Sequence, residues 1–302
     1  MLILEPISKR RIWGTAKLHE YSGDKEIDKI GSVYTISATQ EISSPVKYGS
    51  TLGKDLYSLT MNHPSLFGLQ VGEPYPIIVS MTAAGDDLSI QVHPTDDYAR
   101  KNEHAISGKS ESWYFIEGPE SGWIYAGSKL EDKGLIAEKM REGKFREVVD
   151  IFEVNQHDLV FIPAGTLHAL TKGSLVYEIQ QSTDLTYRFY DYDRIDRDGK
   201  KRELHLEKAI STLQPAQTPK KTDFPMDQLR VETPYSIFRT HLMDKYTNTS
   251  TIAQAVTVIS GTLVVEGERV EKGTSLLVLP CETVLIQQSA EVIIATPNTY
   301  WR

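Results

Sequence analysis

Short runs of apolar residues, broken every few positions by Gly, Pro, Asp or Asn, set the pattern of this chain. Ile77–Met81, Leu88–Val92, Ser112–Glu117, Asp158–Ile162 and Ser174–Gln180 read as strands, and their spacing predicts a sandwich or barrel. A helical pattern interrupts them. Leu135, Ile136, Met140, Phe145, Val148 and Val149 recur at helical spacing behind Ser128 and Glu131, which have the spacing of a capping box. Gly143 is placed to split that helix in two. A second helix is expected after Pro94, with Thr95 as N-cap and Asp96 and Asp97 in its first turn. The stretch Thr212–Asp227 holds three prolines and reads as a linker or packed connection. Beyond it, Ala253–Val265, Val270–Pro280 and Thr283–Thr296 are strand-rich again.

The expected fold is therefore mainly β, with a few helices inserted in the N-terminal part. The expected division is residues 1–220, carrying the chemistry, and residues 221–302, a smaller C-terminal β domain without a metal site.

Composition narrows the function classes. Thirty-three basic against 41 acidic side chains give a net charge of −8, and Lys200-Lys201-Arg202 and Lys220-Lys221 are short basic runs in polar sequence. Nucleic acid and anionic membranes are poor partners for such a surface. Cys281 is the only cysteine, so no intrachain disulfide can form, which fits a reducing cytoplasm. No apolar run reaches the ~18 residues of a membrane span, and Met1-Leu2-Ile3-Leu4-Glu5-Pro6 lacks a signal-peptide pattern.

Candidate chemistry lies in Gln91-Val92-His93, Glu111 and Pro163-Ala164-Gly165-x-x-His168. Alternation puts Gln91 and His93 on one face of a strand. Glu111 can join from a neighbouring strand, and His168 follows a Pro-x-Gly turn that can close the site. Two imidazoles, a carboxylate and an amide oxygen suit a borderline divalent ion such as zinc, with a position left for substrate or water. The other six histidines, His19, His63, His104, His157, His205 and His241, lack comparable pairing and read as structural or exposed.

The segments from Gly85 to Gly118 and from Pro163 to His168 resemble the two cupin motifs, with an insertion before Glu111 and Gln91 in place of the usual first histidine. Leu88-Ser-Ile-Gln-Val-His-Pro94, Gly108-Lys-Ser-Glu-Ser-Trp-Tyr114, Pro163-Ala-Gly-Thr-Leu-His168 and the run from Tyr177 to Arg188 are similar to the type I mannose-6-phosphate isomerase family, in its short bacterial form. The likeness runs from Trp13-Gly14 through the C-terminal strands. One departure is Gly31-Ser-Val-Tyr-Thr35, where many members have Gly-Glu-x-Trp-Glu.

The resemblance implies two cupin-like β-barrel or jelly-roll domains and one zinc ion per chain on Gln91, His93, Glu111 and His168. It implies Arg188 as an active-site arginine, with Lys109 and Glu178 beside it. The implied reaction interconverts mannose 6-phosphate and fructose 6-phosphate through an enediol or enediolate. Glu178 is then the candidate proton shuttle, and the Arg188 fork suits an enediolate or a phosphate. Lys109 could orient a sugar hydroxyl. Ser89 and Lys172 are the weaker candidates for the phosphate. A small-molecule sugar phosphate is the expected partner. The alternatives are another cupin metalloenzyme and a non-catalytic sugar-binding or regulatory cupin.

Overall fold

A computed structural model describes residues 1–51, 53–196 and 199–301. The chain is mainly β and divides into two compact units. One contains residues 11–15 and 82–223, and the other residues 1–10, 16–81 and 224–302. The chain passes between the units at 10/11, 15/16, 81/82 and 223/224. Most of the first 81 residues group with the C-terminal strands.

The unit built on residues 82–223 has two sets of antiparallel strands. In the first, Lys220–Asp223, Asp158–Ile162, Glu111–Glu117 and Leu175–Gln181 follow one another in that order. The second is a five-stranded sheet in the order Tyr187–Tyr190, Ile90–Val92, His168–Ala169, Trp123–Ser128 and Val149–Glu153. Its core gathers Trp13, Ile90, Val92, Trp113, Phe115, Ile162 and Val176 with other apolar residues. Alternation supplies these side chains: Trp113 and Phe115 are successive same-face positions of one strand.

One helix cap differs from the expected one. The helix spans Lys133–Arg141, with Asp132 as N-cap accepting from the Leu135 backbone N–H at 2.7 Å. Ser128, four residues upstream, ends a strand and donates to the Leu130 carbonyl. Asp132 is the cap because its carboxylate reaches an amide of the first turn, which Ser128 does not. Gly143 does interrupt the pattern: its φ of 74° is left-handed, and a separate short helix follows at Phe145–Val148. Thr95 caps the helix Asp96–Glu103, its hydroxyl accepting from the Tyr98 N–H. The expected connection Thr212–Asp227 contains the strand Lys220–Asp223, registered against Asp158–Phe161. All four of its side chains are exposed, so no apolar alternation marks it.

The other unit holds a seven-stranded antiparallel sheet. Its order is Leu229–Val231, Tyr235–Leu242, Ala290–Pro297, Gln254–Ser260, Ser275–Val278, Leu2–Leu4 and Val46–Tyr48. A four-stranded sheet of Lys245–Thr247, Thr283–Gln288, Thr262–Val265 and Glu268–Glu271 lies in the same unit. Val256, Val258, Leu263, Val265, Leu276, Val292 and Ile294 form the heart of an apolar core. Among the described residues, no helix is long and apolar enough to cross a membrane.

Candidate metal centre and active site

Strand register brings the predicted residues together inside the unit of residues 82–223. His168 stands opposite Gln91 on one side, and Arg188 stands opposite Gln91 on the other. Cross-strand partners share a face, so Arg188, Gln91 and His168 form one row. His93 lies two residues beyond Gln91 and is buried. Glu111 opens a strand of the other set, opposite both Ile162 and Gln180.

Gly165 makes the turn before His168. Its φ is +89°, its N–H donates to the His93 carbonyl, and a Cβ there would lie 2.6 Å from Gln214 Cγ. Only glycine meets both demands without strain.

Ligand-type atoms of His93, Glu111 and His168 lie within 4.8 Å of one another, and all three residues are buried. His93 Nε2 is 3.5 Å from one Glu111 oxygen, and His168 Nε2 is 3.3 Å from the other. Each imidazole is turned by a backbone carbonyl. His93 Nδ1 donates to Leu185 O at 2.9 Å, and His168 Nδ1 to Thr166 O at 2.9 Å. A carbonyl can only accept, so each proton is on Nδ1 and each Nε2 turns a lone pair towards the carboxylate. Buried lone pairs facing a buried carboxylate repel one another unless a cation stands between them. His93 Nε2 and both Glu111 oxygens are also buried without a hydrogen-bond donor. The donor set, two imidazole nitrogens and a carboxylate, fits a divalent ion of the zinc type.

Electrostatics favour the ligand forms. Burial lowers the pKa of His93 to about 4, helped by Lys109 and opposed by Glu111. Burial likewise lowers that of His168, against the pull of Glu111. Burial pushes the Glu111 carboxyl up, but Lys109 and the two histidines outweigh it and hold the group well below the usual range. Both imidazoles are neutral and the carboxylate is charged near neutrality, as metal binding requires.

The remaining predicted residues surround this group. Gln91 places its amide nitrogen 3.4 Å from His168 Nε2. A half-turn of the amide exchanges nitrogen for oxygen at that place. Lys109 Nζ is 3.2 Å from Glu111, and both side chains are almost wholly buried. Glu178 stands opposite Trp113, so it shares the face of Glu111 two places further along. It accepts from Thr82 Oγ1 at 2.7 Å and from Trp113 Nε1 at 3.4 Å. Trp113 in turn meets the His168 ring edge to face at 5.5 Å. Neither Trp113 nor Thr82 was among the expected site residues. Alternation from Glu111 could have indicated Trp113; nothing local indicates Thr82.

Arg188 donates through Nη1 to Glu203 O at 2.7 Å, and its backbone N–H donates to His205 Nδ1. Of the two phosphate candidates, Ser89 is buried, while Lys172 is exposed and paired with Glu120 at 3.1 Å.

Fold and site together define a mainly β protein with a buried His-Glu-His centre of metal-binding type and a lysine ammonium against its carboxylate. No family model matches the chain. Curated relatives do. The chain is 40% identical over 213 residues to "Probable mannose-6-phosphate isomerase GmuF" of Bacillus subtilis, covering 70% of this chain and 68% of that one. It is 36% identical over 220 residues to mannose-6-phosphate isomerase ManA of the same organism, covering 73% and 70%. The crystal structure of a mannose 6-phosphate isomerase from Bacillus subtilis matches with a TM-score of 0.84 at 28% identity, covering 98% of this chain and 99% of that one. The chain belongs to the mannose-6-phosphate isomerase family.

Proposed function

We propose that this protein is a metal-dependent aldose-ketose isomerase that interconverts mannose 6-phosphate and fructose 6-phosphate. The observation that carries the reading is the buried group of His93, Glu111 and His168, with both Nε2 lone pairs turned inward. It is read in a chain whose relatives bear that enzyme's name.

One ion per chain is proposed, zinc by its donor set, held by His93, Glu111 and His168 with the Gln91 amide turned to offer its oxygen. When bound it supplies a fixed positive charge that polarises sugar oxygens. The reaction moves a proton between C1 and C2 and another between the two oxygens. Glu178 is the proposed carrier of the carbon-bound proton; Thr82 and Trp113 fix its carboxylate in place. Arg188 is proposed to stabilise the enediolate charge and Lys109 to orient a sugar hydroxyl. Arg188, Gln91 and His168 lie in one cross-strand row. Each unit is read as a cupin-like jelly roll, and the C-terminal strands as a scaffold without a catalytic metal.

A coupled assay on mannose 6-phosphate, run with metal analysis of the purified protein, tests the reading. Turnover that chelation abolishes and zinc restores supports it. A fully metal-loaded protein without turnover in either direction would overturn it and favour a binding role.

A further inference from the structure

Lys109 brings its ammonium to 3.2 Å from Glu111, with both side chains almost wholly buried. A lysine does not hold such a place by itself. Its four-carbon stem is flexible, and a group that takes up a divalent cation repels a neighbouring ammonium. The backbone from which the stem projects must therefore be fixed.

Three successive amides fix it, each on a different acceptor. Gly108 N–H donates to Asp96 Oδ1 at 2.7 Å, Lys109 N–H to Pro94 O at 3.0 Å, and Ser110 N–H to Gln181 Oε1 at 2.7 Å. The segment runs so close to Pro94 that a Cβ at Gly108 would come 2.2 Å from the Pro94 carbonyl oxygen. Gln181 closes the arrangement. It is buried, its Nε2 donates to the same Asp96 oxygen at 3.0 Å, and its backbone N–H donates to Ser110 O at 3.2 Å. Thr95 caps the helix that Asp96 begins, and the Asp96 carboxylate turns instead to Gly108 and Gln181. Ser110 Oγ accepts from the Ala164 N–H at 3.1 Å, which ties the segment to the turn before His168.

Position 181 calls for a carboxamide. One end accepts from a backbone amide and the other donates to a carboxylate, a pairing that neither ionised glutamate nor methionine can make.

We propose that Gln181 and Asp96 are positioning residues for the reaction, a brace that sets the Lys109 main chain so that its ammonium stays against Glu111. The proposal rests on the isomerase reading above and adds what holds one of its residues in place.

Gln181→Ala and Asp96→Ala should each lower kcat for mannose 6-phosphate by about 10- to 100-fold, as loss of a group behind a site's direct contacts does, in protein that is folded and zinc-loaded. Gln181→Glu, which sets a second carboxylate against Asp96, should lose as much. Asp96→Asn, which keeps the acceptor oxygen, should lose least. The deciding measurement is a cycle with Lys109→Met. If Gln181 acts through Lys109, adding Gln181→Ala to Lys109→Met should change kcat by less than about 2-fold. Zinc affinity gives the same cycle without substrate. Lys109→Met removes a cation beside the carboxylate and should tighten zinc binding, Gln181→Ala should tighten it too, and the double variant should go no further. Losses of kcat that multiply in the double variant would overturn the proposal, since Gln181 would then be supporting the fold at large. So would a parental kcat in Gln181→Ala or Gln181→Glu. If the parent protein turns over no sugar phosphate, the isomerase reading fails, and the zinc cycle alone decides whether the brace holds Lys109.

Discussion

In the unit that contains the C-terminal strands, several buried polar side chains are matched to one another. Thr257, Ser275 and Thr35 form a chain of hydroxyls at 2.8 and 2.7 Å, and Asn248 donates to Ile252 O and Val278 O. In the other unit, His93 Nε2 and both Glu111 oxygens are buried without a donor, with a lysine ammonium close by. The first arrangement completes itself, so it reads as structure. The second is complete only when something charged enters, so it reads as function. Burial alone does not tell the two apart. Satisfaction does.

The contrast is broken most severely by removing a ligand. His168→Ala should lower activity by more than roughly 100-fold, beyond the cost of losing a supporting group around a metal site, and most of the metal should go with it. Metal analysis by mass spectrometry beside the coupled assay checks this, and full occupancy in the variant would count strongly against the assignment. Next in size is Arg188→Lys, which keeps the charge and loses the planar fork. We expect kcat to drop by about 100-fold with metal retained. Loss of metal together with rate would instead make Arg188 a support for the site's shape.

A smaller effect appears in the metal-free protein as pH falls. His93 titrates at about 4 in the folded chain against its ordinary 6.5, so between those values the unfolded chain binds more protons. Stability should therefore decline as pH drops from 6.5 towards 4, with His168 adding in the same direction. Thermal melts of chelated protein across that range test it, and a flat profile would contradict the inward burial of neutral imidazoles. The smallest effect on activity should come from the self-sufficient unit. Leu263→Ala deletes a wholly buried side chain and should cost about 2–5 kcal/mol of stability. Activity per folded molecule should stay near the parental value, measured at a temperature where the variant is folded. A large fall in kcat there would show that the two units are not independent in function.

Much of the candidate site is written in local spacing. Gln91 and His93 obey the two-residue period of a strand, and Pro163 to His168 is a turn with its own grammar. What pairs across the sheets was not legible. Nothing near Glu178 reveals Thr82 as its partner. The fold followed the same rule. Mainly β character and the cap at Thr95 come from neighbouring residues. The strand Lys220–Asp223 escaped because its side chains are all exposed. The cap at Asp132 was misplaced because Ser128 and Glu131 offered a competing pattern. The two-unit division was hidden because it depends on Leu2–Leu4 pairing with residues near position 276.

That last pairing has a consequence for synthesis on the ribosome. Leu2 lies opposite Leu277 and Ile3 opposite Leu276, and on its other edge Ile3 lies opposite Tyr48. The first strand must therefore wait for nearly the whole chain to emerge before its inner neighbour exists. Residues 82–223, by contrast, are contiguous and can begin to assemble while the rest is still being translated. The half that holds the His-Glu-His group should form early and the other half last, and the waiting segment, apolar at Leu2-Ile3-Leu4, is the stretch most in need of shielding during that interval.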